Sequence, residues 1–439
     1  MEYALSLLKN TDKGNKVVIL GAGLAGLSSA AYLIKSGFNV AVLESSGKPG
    51  GRAYSFTDKD TSTIIDNGQH IMMGCYNYTL QFFDIIGARS KFNRPDKLAV
   101  NFVKPGFNVL PLKAVSSIYP INLLIGLLSY KAITLSDRLR LLNIFLKLLL
   151  YSSRDLEKLS VDEWLNREGQ NTEIKKAFWE IIAVGALNAD ITKASARLFV
   201  DILKQMFIGG NKAASIILPK YGLSESYCND AVKYIENNGS TISFSETVTG
   251  IKSAGSRITA VQTSKRIIED FDSIISALPL YALKRVLPEQ NIIHLPELEY
   301  SSILTLHIWL KNNKLKDKFY GLIDSPVHWV FNHGSYITLV ISSADSIIGG
   351  TKEELFELCS RELQSYLNIN KEDVSGYKVI KEKRATFVPS NNILKERPGA
   401  ATPYRNFFLA GDWTDTKLPA TIEGAVKSGK VASDCIINS

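Results

Sequence analysis

The chain of 439 residues is poor in the residues that staple or metallate folds. Its four cysteines, Cys75, Cys228, Cys359 and Cys435, form no C-x-x-C pair, and its five histidines show no metal-ligand spacing. A disulfide framework and a metal site are therefore not expected, and a reducing cytoplasm is the compartment that fits. No internal repeat and no low-complexity tract interrupts the chain. The opening stretch MEYALSLLKNTDKGN carries an acid at position 2 and no small-residue cleavage site, so it is not expected to be a signal peptide. The net charge of +8 is too diffuse to argue for nucleic acid. It suits an anionic cofactor, a membrane surface or an ordinary solvated exterior. With 45% apolar and 21% charged residues, the composition is that of a folded protein long enough for two to three domains.

Long hydrophobic runs are also missing. The nearest, AVSSIYPINLLIGLLSY from Ala114 to Tyr130, has 17 residues without a charge, but Ser, Asn and Pro120 dilute it and Lys131 stops it. A second stretch, SDRLRLLNIFLKLLLYSS, reads as a helix capped by Ser136 and apolar on most sides. Two readings stay open for residues 114–151. They are buried helices of a globular domain, or they form a monotopic surface that dips into lipid with Leu123, Leu124 and Leu127 facing it.

What is present is concentrated near the ends. KVVILGAGLAGLSSAAYLIKSGFNVAVLE, Lys16 to Glu44, reads as strand, glycine loop, helix, strand and terminal acid. Gly21 permits the tight turn, Gly23 lets backbone approach a pyrophosphate, and Gly26 lets helix pack on strand. Gly37 is placed to end the helix. Glu44, 18 positions after Gly26, can accept hydrogen bonds from a ribose diol. That unit serves NAD and FAD alike. The following SSGKPGGRAYSF brings Gly50, Gly51 and Arg52 just past the acid, an extension that points to FAD; alone, it would equally be a surface turn.

At the other end, FLAGDWTDTKLPATIEGAVKSG (408–429) is an apolar run broken by Gly-Asp, a polar loop, and a helix opened by Pro-Ala-Thr. A helix start presents unpaired N–H groups and the positive end of a dipole. It meets either an electron-rich ligand edge or simply the back of a strand.

Taken together with DNGQHIMMGCYNYTL (Asp66 to Leu80), these segments resemble the amine oxidase and phytoene desaturase superfamily of flavoproteins. Within it they look most like the hydroxysqualene dehydroxylase group, the squalene-associated FAD-dependent desaturase-like proteins of bacterial hopanoid synthesis. The resemblance runs end to end, with its motifs at residues 17–76, around Val248 and at 383–429. It implies an α/β fold: a Rossmann-like FAD-binding domain (1–90, 215–290 and 384–439) with a discontinuous α+β substrate domain (91–214 and 291–383). It implies FAD as cofactor. Gly21, Ala22, Gly23, Leu24, Ala25, Gly26, Glu44, Ser45, Gly51 and Arg52 would bind its ADP part, and Val248 would meet the adenine by its backbone. Gly411 and Asp412 would hold the ribityl–pyrophosphate region. Thr421 and Ile422 would face the flavin N1–C2=O edge, which is negative in the reduced cofactor. Gly68, Gln69 and His70 would pass the flavin. Lys417 stands where the pattern has a small residue.

The resemblance further implies reductive removal of an allylic hydroxyl, taking hydroxysqualene to squalene. Hydroxide leaves poorly, so an acid must protonate it. His70 is the candidate, with Asp415 as a fallback; Asp66 is expected to brace its loop. The pocket should be long, dry and aromatic, and Trp309, Trp329, Phe331 and Tyr336 sit in stretches that alternate like antiparallel strands. The expected partners are a long isoprenoid lipid and the inner face of the cell membrane; the electron donor is left open. Competing readings are a phytoene-type desaturase, an amine oxidase and a non-enzymatic prenyl-binding protein of GDP-dissociation-inhibitor type.

Overall fold

The computed structural model describes residues 16–115, 118–287 and 292–439. The N-terminal stretch read as lacking a signal peptide lies outside them, as do positions 116 and 117 of the apolar run.

Segments distant in sequence meet in a five-stranded parallel sheet, ordered Thr241–Ser243, Asn39–Leu43, Lys16–Leu20, Ser273–Ser276 and Phe407–Leu409. Both faces are covered, which is why its strands read as continuous apolar runs. Val17, Ile19, Val40, Val42 and Ile275 pack under the helices Leu24–Lys35, Asn229–Asn237 and Ile422–Ile437. Val18, Leu20, Ile274, Phe407 and Leu409 face the antiparallel meander Val248–Ala254, Arg257–Thr263 and Ile267–Ile268, together with the helix Leu280–Val286. Gly37, just past the first helix, has φ +88°, the left-handed stop expected of it.

A second, seven-stranded sheet runs in the order Val374–Phe387, Tyr300–Leu310, Tyr336–Ser342, Trp329–Asn332, Phe319–Leu322, Ala99–Lys104 and Asn108–Lys113. Its pairs are antiparallel except Phe319–Leu322 beside Ala99–Lys104. Leu304, Leu306 and Ile308 turn one way, under the helix Lys352–Leu367. Thr305, His307 and Trp309 turn the other way, toward residues 63–68. Trp329, Phe331 and Val340 join a large cluster with the helices between residues 121 and 208.

Two details differ from expectation. The helix read as capped by Ser136 is Leu135–Lys147, and Thr134 caps it: the Thr134 hydroxyl accepts from Asp137 N–H, so Ser136 already lies inside. Leu123 and Leu127, read as lipid-facing, are 5% and 2% exposed and pack in the core of the helical layer. Outward on that helix, Ile121–Leu128, point Ile121 and Ile125. Among the described residues, no helix is long and apolar enough to cross a membrane, and no cluster of His, Cys, Asp and Glu could hold a metal.

Candidate functional site

Two glycine-lined loops lie side by side at the ends of the parallel strands. Gly21 turns with φ +102°, and its N–H donates to Leu43 O at 2.7 Å, which links the two strand ends. Gly50 N–H donates to Ala22 O at 2.9 Å, laying the Gly-Gly-Arg segment along the first loop. A Cβ on Gly26 would overlap the Gly21 carbonyl. Only glycine therefore lets the helix sit this close to the loop. A Cβ on Gly23 meets nothing nearer than Gly51 Cα at 3.9 Å, so both loops present bare backbone to the same space. The helix starting at Leu24 and Ala25 has no side-chain cap and no acid in its first turn. Its N–H groups and dipole are thus left for an external anion.

The strand Asn39–Leu43 is followed directly by Glu44, which is 9% exposed. Its Oε2 accepts from Ala22 N–H at 2.8 Å, and its Oε1 from Ser46 N–H at 2.8 Å and from the Ser45 hydroxyl at 3.3 Å. A carboxylate has about four acceptor positions, so one remains on Oε2 for a ligand hydroxyl. Backbone bonds from Glu246 N to Glu44 O and from Ser245 N to Ser46 O bring the meander, and Val248 at its start, alongside this end of the site.

The opposite end is built by the C-terminal motif. Gly411 has φ +141°, and its N–H donates to the Ser428 hydroxyl at 2.7 Å. Asp412 Oδ2 takes the Arg52 guanidinium at 2.7 Å, tying this motif to the Gly-Gly-Arg segment and holding the Arg52 pKa above its ordinary value. Thr421 caps the last helix by accepting from Gly424 N–H. The N–H groups of Ile422 and Glu423 find no acceptor among the described residues. The helix start therefore faces the site with free donors. Lys417, the departure from the family pattern, sits at φ +58°. That left-handed geometry explains why a small residue is expected there; Lys417 adopts it while pairing with Asp415.

Between the ends runs the loop of Gly68, Gln69 and His70. Asn67 fastens it to the Gly-Gly-Arg segment through its amide N–H to Arg52 O (2.6 Å) and Tyr54 N–H to its Oδ1 (3.1 Å). Asp66 accepts from the Ser55 hydroxyl (2.6 Å) and Leu223 N–H (2.9 Å), and burial pushes its pKa up to about 6. His70 Nδ1–H donates to Gly68 O at 2.8 Å, leaving Nε2 as the open nitrogen. Burial, with Arg52 nearby, lowers the His70 pKa below its usual 6.5. The ring is therefore neutral at pH 7 and must gain a proton before it can give one.

Four side chains that shape the candidate site escape sequence reasoning. Arg397, 5% exposed, threads the loop 412–418 with bonds to the carbonyls of Asp412 (2.9 Å), Trp413 (3.4 Å), Thr414 and Leu418 (2.8 Å) and to the Thr416 hydroxyl (3.0 Å). Glu423, in the first turn of the last helix, instead caps the helix Asn77–Ile85 through Tyr78 N–H, Thr79 N–H and the Thr79 hydroxyl, all within 3.0 Å. Tyr76 places its phenol beside Thr421, and burial holds that phenol protonated far above neutrality. His307 Nε2–H donates to Asp66 O while its Nδ1 accepts from the Thr338 hydroxyl, so the seven-stranded sheet braces the His70 loop. Only the alternation of the strand Tyr300–Leu310 hints at the last of these.

An ADP moiety fits the first end: bare backbone and a helix start for the pyrophosphate, and a free carboxylate position for the ribose. A flavin fits the second, where free N–H groups face its electron-rich edge. Comparisons with known proteins agree. Residues 24–437 match the family model of flavin containing amine oxidoreductases. The chain is 30% identical to a hydroxysqualene dehydroxylase of Sinorhizobium fredii over 434 residues, and 28% identical to one of Zymomonas mobilis over 426 residues. In each case 96% of this chain and 98% of the relative are covered. Among solved structures, a putrescine oxidase superposes with a TM-score of 0.73 at 15% identity, covering 97% of this chain and 99% of that one. The chain belongs to the flavin containing amine oxidoreductase family and is an FAD-dependent oxidoreductase with its Rossmann-like FAD-binding fold.

Proposed function

We propose that this enzyme removes the hydroxyl group of hydroxysqualene reductively to give squalene, acting on a long isoprenoid lipid in peripheral contact with the inner face of the cell membrane. The observation that carries the reading is the end-to-end likeness to hydroxysqualene dehydroxylases, with nearly the full length of both chains aligned. In balance, one alcohol, one hydride and one proton give one hydrocarbon and one water.

FAD, once reduced, supplies the hydride that replaces the hydroxyl group. Glu44, the Gly21–Gly26 turn, Arg52 with Asp412, and the helix start at Thr421 and Ile422 would hold the cofactor's successive parts. Arg397 keeps the loop 412–418 in shape. The proton for the departing hydroxyl passes through His70 Nε2, the open nitrogen of the ring. Water is kept out by the apolar cluster containing Trp329, Phe331 and Val340, against which Ile71 and Met73, immediately after His70, also pack. The chain divides, in this proposal, into a cofactor part at 1–90, 215–290 and 384–439 and a substrate part at 91–214 and 291–383. The last junction falls within the strand Val374–Phe387.

One observation favours a second reading, phytoene-type desaturation. A neutral His70 is already poised to accept a proton. Incubating the holoenzyme with hydroxysqualene and dithionite, and reading the lipids by mass, decides between them. Loss of one oxygen to give squalene supports the proposal. Unchanged hydroxysqualene, with phytoene desaturated in the presence of a quinone, overturns it.

A further inference from the structure

The helix Leu135–Lys147 carries two leucine stripes. At about 100° per residue, Leu141, Ile144 and Leu148 fall on one side and are buried. Leu135, Leu139, Leu142, Leu146 and Leu149 recur every three or four residues on the opposite side. Four of these are exposed: Leu135 at 64%, Leu139 at 55%, Leu146 at 62% and Leu149 at 72%. Leu150 extends the stripe at 79%. Burial of the first stripe explains the core; nothing among the described residues covers the second.

The stripe is not isolated. The helix Ile121–Leu128 packs on this helix and turns Ile121 and Ile125 outward, and Ile118 precedes it at 80% exposure. The Tyr119 hydroxyl donates to Phe207 O, and the Phe145 and Phe207 rings meet at 4.7 Å. A cluster of exposed apolar side chains of this kind marks an interaction surface.

Charge identifies the partner. Residues 114–151 contain four basic side chains, Lys131, Arg138, Arg140 and Lys147, and a single acid. That acid, Asp137, is 5% exposed and bonded to Arg140 and Asn171. Lys147 also pairs at 3.5 Å with Glu168 from outside the stretch, and Arg138 donates to the Ile133 and Leu128 carbonyls, which leaves its charge unpaired by any acid among the described residues. On the helix wheel, Arg138 flanks the outer stripe on one side, and Arg140 and Lys147 flank it on the other. Outward leucines with basic flanks are the pattern of a helix lying in a membrane interface, its apolar face among acyl chains and its cations among headgroups. A second copy of this chain fits poorly, because a two-fold contact through this face would bring the basic flanks together.

We propose that this face, centred on Ile121, Ile125, Leu135, Leu139, Leu146 and Leu149, docks the enzyme on an anionic lipid leaflet. The proposal deepens, and for its purpose rests on, the lipid-substrate reading. The buried stripe beneath the face belongs to the same apolar cluster that reaches Ile71 and Met73, beside His70.

The test is co-sedimentation of the yellow holoenzyme with phosphatidylcholine vesicles, with and without phosphatidylglycerol. Binding should require the anionic lipid and weaken with salt. The triple variant Leu139→Ser/Leu146→Ser/Leu149→Ser should lower the partition coefficient at least ~10-fold while keeping flavin absorbance and urea midpoint. Wild-type protein left in the supernatant beside anionic vesicles overturns the proposal. So does a folded triple variant that sediments like wild type, or a dimer in solution that the triple variant dissolves. Turnover of detergent-dispersed hydroxysqualene is read separately: vesicle binding without turnover leaves the docking face standing and removes the reaction.

Discussion

Gly23 and Gly26 lie three residues apart in one motif, yet alanine at each should fail for different reasons. At Gly26 the new methyl overlaps the Gly21 carbonyl oxygen and lies 3.1 Å from its carbon. Both are backbone atoms, in a turn fixed at φ +102° under a helix buried along nearly its whole length. No side chain can swing away, so the helix must move. Overpacking of this kind costs about 1–3 kcal/mol even where relief is available, and Gly26→Ala should sit at or above the upper end. At Gly23 the backbone is φ −72°, ψ 178°, which alanine adopts freely, and the nearest protein atom is 3.9 Å away. Apo Gly23→Ala should therefore be as stable as wild type, or firmer by up to ~1 kcal/mol through a stiffer unfolded chain. Its methyl fills the space through which a pyrophosphate approaches the backbone. Losing two phosphate bonds at about 1.5–3 kcal/mol each weakens FAD by at least ~100-fold. Urea unfolding of the apoproteins and flavin fluorescence titration separate the two effects. A Gly23→Ala protein that retains FAD like wild type, or a Gly26→Ala apoprotein with the wild-type midpoint, would refute this picture of the cradle.

Glu44→Ala should weaken FAD by roughly 1.5–3 kcal/mol, the worth of a charge-assisted hydrogen bond, measured by equilibrium titration of apoprotein. Arg397→Lys keeps the charge but cannot reach five acceptors with one ammonium, so the urea midpoint should fall by the equivalent of about 2 kcal/mol or more and FAD should be released more readily. For His70 the sign follows from its depressed pKa. The donor-competent imidazolium is scarce at neutral pH and accumulates below 6.5, so single-turnover dehydroxylation should speed up as pH falls through that range, and His70→Ala should flatten the profile. A pH-independent wild-type rate would remove His70 from the proton path.

Much of the cofactor end is legible in the sequence because its demands are local. A tight turn, a close approach, an acid at a strand tip and a helix start each ask for one residue type at one spacing, and Gly21, Gly26, Glu44 and Thr421 stand where those demands fall. The clamps are not legible, because their partners lie far along the chain: Glu423 holds Thr79 across 344 positions, and His307 reaches Asp66 across 241. Arg397 is nearer its acceptors, but four of the five are backbone carbonyls, which carry no sequence signature. The outward faces of the helices between residues 121 and 147 fail for a different reason. Periodicity marks an apolar stripe, but Leu135–Lys147 has two, and only tertiary packing decides which one turns inward. Thr134 and Ser136 likewise offer two caps of similar strength, and the helix starts from the earlier one.

The central claim, that hydride leaves the flavin for an allylic alcohol, is tested most directly in a single turnover without oxygen. Holoenzyme reduced by one equivalent of dithionite is mixed with hydroxysqualene, and flavin absorbance is followed while squalene is quantified. The account predicts that the oxidised flavin spectrum returns, with one squalene formed per flavin reoxidised. Flavin that stays reduced in the presence of hydroxysqualene, while oxidised enzyme is bleached by phytoene, would contradict it.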